Sequence, residues 1–541
     1  MSSDAEREAK TAGPRFKWAG LGWCLLFALA HTQSPLYYSN QNQYFLHGLA
    51  WAGHGFLRLD WLANTADPTP LFSLLVAGAY RFPGEWMFQA AYLLVLMGYA
   101  AIGWRVYRIV TGQSPISPGG MIFLTFLTLC HWAPLRLASA HGLGVDYPWY
   151  LQAGVAGQYI LGPGLQPSVA GVLLLLAMAV AAGGRLGTGV VVAAAACLIH
   201  STYLLPAAFF TLACMIAAWP TGGVRSAVRL GLTALAVVTP ILVYDVFMFA
   251  PSDSETFAES QRILAHERIP HHAQISRWFD PIAALQYAWI VVGIVVAGSG
   301  LLRRLMISCL TLSLAFTGVQ WITGSDSLAL AFPWRTTAVL VPLATMIVLA
   351  RWSTKLAGKL SASRGRAIGS YSLVVMAAGG LFVMSGRLGY RESKEELPLL
   401  DFVKTHARPG EVYLIPVEIP RHDKAKRGAV STTFTPPPRR DREHGLISVD
   451  LQRFRLYTGA PIYVDFKSIP YKDVEVVEWW QRLKWVRDLY ESGAWSEPAI
   501  RDELARRGIT HVVVPSRQAR QGIGALLFMD DHYAVYALPR P

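Results

Sequence analysis

Apolar segments long enough to cross a bilayer recur along most of the 541-residue chain, and they constrain its fold more than any other feature. A bilayer core is about 30 Å thick, so a helix of about 20 apolar residues spans it. Hydropathy windows predict about eleven such helices, near residues 18–34, 86–110, 119–139, 168–183, 187–202, 203–219, 229–249, 282–301, 305–322, 334–350 and 367–387. The sequence therefore predicts a polytopic α-helical membrane protein, with a transmembrane domain over residues 1–387.

The charges predict which loops lie on which side of the membrane. Lys and Arg gather in cytoplasmic loops of membrane proteins, and here alternate loops are basic, with five Lys or Arg and no acid over residues 351–366. The remaining loops carry most of the acids. This pattern predicts a cytoplasmic N-terminus and an extracytoplasmic tail. The net charge of +13 is therefore attributed to the basic cytoplasmic loops, and no nucleic-acid partner is expected.

The tail, residues 388–541, is predicted to be a separate extracytoplasmic α/β domain. Its helices are expected at 397–406, 473–490 and 497–507, and its strands at 411–417, 509–515 and 533–538. The basic, proline-rich segment 419–446 is expected to be a mobile loop. All five cysteines fall in apolar runs, which excludes a disulfide framework or a cysteine metal site in the tail.

The first outer loop, residues 34–70, is too polar to span a bilayer and is rich in aromatic and amide side chains. It is followed by a short apolar segment, 71–82, predicted to lie at the outer interface. Asp60 and Asp67 in this loop are candidate catalytic residues. Either carboxylate can serve as a general base on an acceptor hydroxyl, and Asp60 can also hold a divalent cation such as Mg²⁺ or Mn²⁺. The alternative is that both cap helices.

A second set of candidates is basic. Arg268, His271 and His272 lie close together in one predicted outer loop, where an arginine and a histidine suit a phosphate group. The alternative is a polar loop resting at lipid headgroups. His200 lies within an apolar stretch, and Arg335 lies at the outer end of a predicted span. Each of these two either faces a binding cavity or is accommodated locally, by packing or by snorkelling.

The tail adds basic residues among tyrosines and tryptophans. Arg453, Arg455 and Lys467 fall in a stretch that also contains Tyr457, Tyr463 and Tyr471. This composition predicts a surface that roofs a cavity near the membrane and holds a polar donor or acceptor. The alternative is a basic-aromatic face that contacts headgroups.

Two motifs of the first outer loop resemble the GT-C superfamily of membrane glycosyltransferases. The stretch from Gly55 to Leu62, which includes Asp60-Trp61, resembles that family's Gly-Asp-Trp motif. The stretch from Asp67 to Leu75 resembles its Pro-Pro-Leu-Tyr helix. The resemblance implies a GT-C-like fold in the bacterial inner membrane and inverting transfer of a sugar from a polyprenyl-phosphate carrier at the outer face. The implied partners are membrane lipid, the polyprenyl-phosphate-linked sugar, and a glycan, lipid or protein acceptor.

One departure from the GT-C pattern concerns the expected acid. Many members of that family have Asp, or Asp-Glu, just after the first helix, whereas this chain has Asn40-Gln-Asn-Gln43. An amide cannot deprotonate an acceptor, so another outer acid is required for transfer. In addition, the strings 268–272 and 463–471 resemble those of a poorly characterised family of bacterial membrane proteins, a kinship that implies no reaction.

Two other functions remain open at this stage. One is a non-enzymatic transporter or an assembly component for envelope polysaccharide, and the other is a ligase or hydrolase of lipid-linked glycans that uses the histidines. A glycosyltransferase is expected to place Asp60, His271 and Arg335 around one outer-facing cavity, whereas scattered placement favours the alternatives.

Overall fold

The computed structural model describes residues 14–82, 84–359, 361–390, 394–419 and 451–539. Helices dominate the part before residue 390. They are α1 Pro14–His31, α2 Gln41–Tyr44, α3 Leu46–Ala52, α4 Pro70–Arg81, α5 Trp86–Thr111, α6 Pro118–His131, α7 Ala133–Gly142, α8 Gly171–Ala182, α9 Leu186–Ile199, α10 Leu204–Phe249, α11 Ser254–Arg262, α12 Pro270–Ala273, α13 Ile275–Trp278, α14 Pro281–Val296, α15 Leu301–Thr323, α16 Asp326–Leu330, α17 Thr337–Ala357 and α18 Ala362–Ser385.

The helices confirm a multi-pass membrane protein. Six helical stretches of the described residues are long and apolar enough to cross a membrane: Trp86–Thr111, Pro118–Gly142, Ser201–Phe249, Leu301–Thr323, Asp326–Ala357 and Ser363–Ser385. Four shorter apolar helices accompany them, at Ala19–His31, Pro167–Ala182, Leu186–Ile199 and Pro281–Val296. The count of about eleven spans stays a prediction, because the shorter helices do not by themselves reach the length of a full crossing.

The longest helix, α10, covers two of the predicted spans and folds back on itself. Its 46 residues would extend about 69 Å if straight, roughly twice the bilayer core. The break is at Gly223, whose φ of 63° and ψ of −174° are not helical. A Cβ on Gly231 would lie 3.2 Å from the Met215 sulfur, so the two halves of α10 pack against each other as a hairpin.

The basic ends of several helices lie together. A Cβ on Gly119 would lie 2.5 Å from the Tyr107 hydroxyl and 3.5 Å from the Thr354 Cα. This contact joins the C-terminal end of α5, which carries Arg105 and Arg108, to that of α17, which carries Arg351. The helix bundle therefore has one strongly basic end.

Beyond residue 394 the chain forms a sheet covered by helices. The helices are α19 Leu397–His406, α20 Phe454–Thr458, α21 Asp473–Ser492 and α22 Pro498–Arg506, and the strands are β1 Tyr413–Leu414, β2 His511–Pro515, β3 Ala525–Met529 and β4 Tyr533–Ala537. The strand order is β1-β2-β4-β3, with β1 parallel to β2 and the other pairs antiparallel. β2 is buried along its whole length, and α21 packs Trp479, Leu483 and Val486 into the same core, at the spacing of one helical face.

The tail does not pack as an isolated unit. Ile263 and Leu264, from the loop after α11, belong to the same buried cluster as the sheet and α21. Leu456 of α20 is buried among apolar residues of the first outer loop and α4. The boundary at residue 388 stays a prediction, and residues 420–446 of the predicted proline-rich loop lie outside the described part of the chain.

Two glycines bring the backbones of the first outer loop and the tail into direct contact. The amide of Phe56 donates a hydrogen bond of 2.7 Å to the carbonyl oxygen of Gly459. A Cβ on Gly55 would lie 2.5 Å from that oxygen and 2.6 Å from the Gly459 Cα. Only a residue without a side chain permits these backbones to meet.

We predict that Gly55→Ala loosens the tail from the first outer loop. The added methyl group forces two backbones apart, at a cost of about 1–3 kcal/mol. The measurement is thermal unfolding and limited proteolysis of the tail in nanodiscs. Gly53→Ala is the matched control, because Gly53 also has a positive φ, +82°, but has open space around its Cα. Equal effects of the two substitutions would contradict the close-approach explanation.

Candidate functional site

The four amides Asn40, Gln41, Asn42 and Gln43 hold two other segments of the chain. Gln43 donates from Nε2 to the carbonyl of Ile469 at 2.7 Å and accepts from the amide of Ile469 at 2.5 Å. Ser468 Oγ donates to the carbonyl of Asn42 at 3.1 Å, and Gln41 Nε2 donates to that of Leu165 at 3.1 Å. Because an amide both donates and accepts whereas a carboxylate only accepts, Asp or Glu at position 43 would not reproduce this two-way contact.

Beside these amides lies a group of basic side chains, which we call the cationic cluster: Arg268, Arg335, Lys467, His200 and His272. Arg268 Nη2 donates to the carbonyl of Lys467 at 2.7 Å. The charges of Arg335, Arg268 and Lys467 all act on His272. The His200 ring lies 5.8 Å from the ring of Tyr203, over which the Arg335 guanidinium is placed at 5.4 Å. Residues from four separate segments therefore converge here.

Arg335 is held in place by neutral partners. Its Nε donates to Gln158 Oε1 at 2.7 Å, and its Nη1 donates to Thr202 Oγ1. The guanidinium also lies over the rings of Tyr203 and Phe332. None of these groups neutralises the positive charge, so the residue is rigid and half-buried while its charge remains available to an anion.

Neither Arg268 nor Lys467 forms a salt bridge with a carboxylate among the described residues, although the charge of Asp465, which Arg455 binds, acts on both. Lys467 Nζ donates to Asn40 Oδ1 at 2.7 Å, and Arg268 Nε is buried without a hydrogen-bond partner. Burial, followed by the charge of Arg268, lowers the pKa of Lys467 to about 7. Burial also lowers the pKa of Arg268. Both shifts show that positive charge is placed here at a cost, which a bound anion would relieve.

His272 is neutral at physiological pH. Burial and then the three neighbouring cations lower its pKa to about 4, against the opposing effect of a hydrogen bond to the Ala156 carbonyl. That bond, from Nδ1 at 2.5 Å, places the proton on Nδ1, because a carbonyl only accepts. Nε2 is therefore able to accept a hydrogen bond.

Tyrosines and strained loops surround the cluster, and the sequence did not single them out as site residues. The hydroxyls of Tyr44 and Tyr471 are 3.4 Å apart, and Asn40 Nδ2 donates to the hydroxyl of Tyr159 at 3.1 Å. Most described non-glycine residues with positive φ occur in the loops that form the cluster, namely Thr32, Tyr37, Ser39, Ala156 and Phe332. Such backbone strain concentrates at functional sites. The sequence feature that could have marked these tyrosines is their position close to amide side chains along the chain, as with Tyr44 after Asn40–Gln43.

The structure places Asp60 in a buried ionic triad with Arg455 and Asp465. Arg455 Nε donates to Asp60 Oδ2 at 2.8 Å, and its Nη1 donates to Asp465 Oδ2 at 2.7 Å. Asp60 is fully buried, and the amides of Leu62 and Ile462 also donate to its oxygens. Burial alone would lower the pKa of Arg455, but the two carboxylates raise it. Asp60 thus differs from the expected base or metal ligand, since both its oxygens are engaged.

Asp67 has a different environment from Asp60. Its Oδ1 accepts from the amide of Thr69 at 2.9 Å, in a turn just before α4, and no side chain of the described residues caps that helix. The same oxygen lies 3.9 Å from His47 Nδ1. Its Oδ2 is buried without a hydrogen-bond partner among the described residues. Asp67 and His47 thus lie beside each other in the first outer loop, and Asp67 keeps one carboxylate oxygen unsatisfied.

The remaining predicted residues lie elsewhere. His271 is exposed, with its ring 4.1 Å from that of His272. Arg453 contacts Glu396 at 2.5 Å and lies over the ring of Tyr457, within the tail. Asp60, His271 and Arg335 therefore occupy three different environments, in contrast to the single cavity expected of them, and this scattered placement favours the alternatives to a glycosyltransferase. Arg335 instead comes together with four other predicted residues, Arg268, His272, His200 and Lys467.

The residues at the cluster do not fit a metal ion. No group of three or more His, Cys, Asp or Glu residues in the described ranges is arranged to hold one. The charges of Arg268, Arg335 and Lys467 repel a divalent cation, and Asp465, whose charge acts on Arg268 and Lys467, is bound by Arg455. The donor set at this position therefore suits an anion and not Mg²⁺ or Mn²⁺.

Comparison with known proteins gives limited information. The model of a domain of unknown function, DUF6798, matches residues 443–486, less than a tenth of the chain, and no curated protein matches. The solved structure of ArnT from Cupriavidus metallidurans bound to undecaprenyl phosphate is similar over 98% of this chain and 98% of that chain, with 13% sequence identity and a TM-score of 0.37. A likeness this weak assigns neither a fold family nor a ligand to the present chain.

Proposed function

We propose that this chain is a GT-C-like glycosyltransferase that takes a sugar from a polyprenyl-phosphate carrier at the outer face of the bacterial inner membrane, with inversion. The observation that carries the proposal is the cationic cluster. Three cations, Arg268, Arg335 and Lys467, donate hydrogen bonds only to neutral groups among the described residues, and the one carboxylate whose charge reaches Arg268 and Lys467, that of Asp465, is bound by Arg455. A phosphate group supplies the missing negative charge and accepts from several N–H donors at once.

The position of the cluster supports a membrane-bound donor. Arg105, Arg108 and Arg351 mark one end of the helix bundle, which the preference of Lys and Arg for the cytoplasm assigns to the inside. The cluster is formed by the other loops, those that contact the tail. There α4 exposes Leu71, Leu74 and Leu75 while it buries Phe72 and Val76. An amphipathic helix of this kind lies in the interface, where a polyprenyl chain would approach.

The chemistry proposed for the site is a single displacement. The acceptor hydroxyl oxygen attacks the anomeric carbon of the sugar, the bond from that carbon to the phosphate oxygen breaks, and the polyprenyl phosphate leaves with the bonding electron pair. Asp67, through Oδ2, takes the hydroxyl proton. The cationic cluster stabilises the charge that develops on the leaving phosphate. Asp60 is in this proposal a positioning residue, because it acts through Arg455 and not on the substrate.

We predict that Arg335→Gln lowers sugar transfer about 10²- to 10³-fold, because a fixed charge that faces the leaving phosphate is lost. The measurement is transfer from a panel of radiolabelled polyprenyl-phosphate sugars by purified protein in nanodiscs. Arg453→Gln is a matched control, since Arg453 contacts Glu396 in the tail and should retain transfer. Transfer unaffected by Arg335→Gln would remove the cluster from the mechanism, and no transfer by the wild type across the panel would favour a carrier or assembly component.

The two candidate acids are predicted to behave differently. Asp67→Asn should lower kcat about 10²- to 10⁴-fold while thermal stability is nearly unchanged, because the proton acceptor is lost. Asp60→Asn should lower stability by about 3 kcal/mol, because a charge is removed from a buried ion network. Steady-state kinetics and thermal unfolding of both variants test this. Loss of kcat in a stable Asp60→Asn protein, with Asp67→Asn active, would exchange the two roles.

The pKa of Lys467 predicts a pH dependence of anion binding. Lys467 loses its proton as the pH rises through about 7, so affinity for an anion should fall above that pH, by up to about tenfold per pH unit. His272, whose pKa is about 4, stays neutral in this range. Farnesyl methyl phosphate is a suitable probe, because a phosphodiester has no titration of its own near neutrality.

Binding of this probe to wild type and Lys467→Arg, measured by isothermal titration calorimetry from about pH 6 to about pH 9, tests the assignment. Arginine stays protonated throughout this range, so the variant should bind with little pH dependence. A decline of the same size in Lys467→Arg would assign the titration to another group.

A further inference from the structure

A second cavity lies on the other side of the loop that supplies Arg268 and His272. Its volume is about 800 Å³, and it is bounded by residues 266–279, by the outer end of α15 and by α16. Two tryptophans, whose rings are tilted at 46° to each other, separate it from the cationic cluster. Trp334 Nε1 donates to the carbonyl of His272 at 3.1 Å, and the rings of Trp334 and Trp278 lie 4.9 Å apart. We call this the outer-loop cavity.

The polar residues that line the outer-loop cavity differ in charge from those of the cationic cluster. No lysine or arginine is among its lining residues. Gln274 Nε2 donates to His266 Nδ1 at 2.8 Å, which leaves His266 Nε2 to donate to Asp326 Oδ1 at 2.9 Å. Ser276 and Thr317 add hydroxyls. Such a wall cannot neutralise a phosphate, but its planar amide, imidazole and carboxylate groups suit hydroxyl groups of a ligand.

The rest of the lining is aromatic and incompletely hydrogen-bonded. Trp278, Phe279, Tyr287 and Trp321 line the cavity. Trp278 Nε1, Tyr287 Oη and Gln320 Oε1 are buried without hydrogen-bond partners among the described residues, and Trp278 and Gln320 are both more than nine-tenths buried. A buried polar group without a partner costs about 1–3 kcal/mol. Three such atoms in the wall of one cavity indicate that a polar ligand completes it.

We propose that the outer-loop cavity binds a neutral saccharide. Aromatic faces stack against the C–H surfaces of a sugar ring, while convergent polar groups fix its hydroxyls. A hydrocarbon chain would leave the three polar atoms unsatisfied, and a phospholipid headgroup would find no cation for its phosphate. The site itself does not depend on the proposed function. Its role as the acceptor site does, because only a transferase would use a sugar that lies one loop away from the donor phosphate.

The test is photolabelling of the full-length protein in nanodiscs with a diazirine derivative of hexyl β-D-glucopyranoside, followed by peptide mass spectrometry. Labelling is expected within residues 263–280 and 314–329. Methyl and hexyl β-glucosides, β-galactosides and N-acetyl-β-glucosaminides serve as competitors, and hexyl phosphocholine is the sugar-free competitor. Competition by the methyl glycosides identifies a free glycan as the source of the sugar, and competition by the hexyl glycosides alone identifies a glycolipid. Both outcomes support the proposal.

Two substitutions locate the interaction. Gln320→Leu and Trp321→Ala should each weaken glycoside binding about tenfold, by loss of a hydrogen-bonding group and of a stacking face. Trp86→Ala is the matched control, because Trp86 is an exposed tryptophan at the start of another span and does not line this cavity. Thermal unfolding of each variant separates loss of binding from loss of folding.

Two results would overturn the proposal: competition by hexyl phosphocholine equal to that by hexyl glucoside, or no specific labelling with competition by any glycoside. The proposed function fails separately from this inference. Arg335→Gln should lower transfer about 10²- to 10³-fold and leave labelling intact. Glycoside binding without transfer by the wild type would retain the saccharide site while rejecting the transferase. If transfer does occur, Trp321→Ala should raise the acceptor KM with little change in donor binding.

Discussion

The ionic triad of Asp60, Arg455 and Asp465 is the interaction on which the arrangement of the site depends. It joins residues separated by 395 positions in sequence and fixes the tail against the first outer loop. Removing the partner of a buried charge is strongly unfavourable. The triad therefore keeps the tail in one position relative to the first outer loop. The tail segment that begins at Tyr463 then runs along the amides Asn40–Gln43, and this places Lys467 beside Arg268.

The helices were predictable because a membrane leaves the backbone few choices. Every buried N–H and C=O of a spanning segment must be satisfied within the segment, which requires a helix.

The strand β3 was not predicted, because it is a continuous apolar stretch, largely exposed at the edge of the sheet, and shows no alternation. A boundary near His200 was predicted between spans 187–202 and 203–219, whereas α9 ends at Ile199 and α10 runs from Leu204 to Phe249. The fold-back at Gly223 was anticipated only as two spans.

The sequence predicted which residues belong to the site better than it predicted the role of each one. Arg268, Arg335, His200, His272 and Lys467 stood out because ionisable groups near a membrane are costly unless they are used. Roles depend on partners, and partners depend on tertiary contacts that no local pattern contains. Asp60 matches a catalytic motif, yet a distant arginine and two backbone amides occupy its carboxylate. The amides at 40–43 suggest a loss of chemistry in the sequence, whereas in the structure they form the contact surface for the tail.

Charge balance explains why an amide at position 40 matters. A carboxylate there would neutralise Lys467, whose ammonium contacts Asn40 at 2.7 Å, and would weaken the attraction of the cluster for an anion. With the amide, the excess positive charge persists until an anion binds.

The π-helical turn Ile263–Arg268 contributes in a different way. One extra residue per turn rotates the next side chains relative to their positions on an α-helix, so that His266 reaches the neutral outer-loop cavity while Arg268 reaches the cationic cluster. A single loop thereby separates two electrostatic environments, one suited to a phosphate and one suited to an uncharged hydroxyl compound.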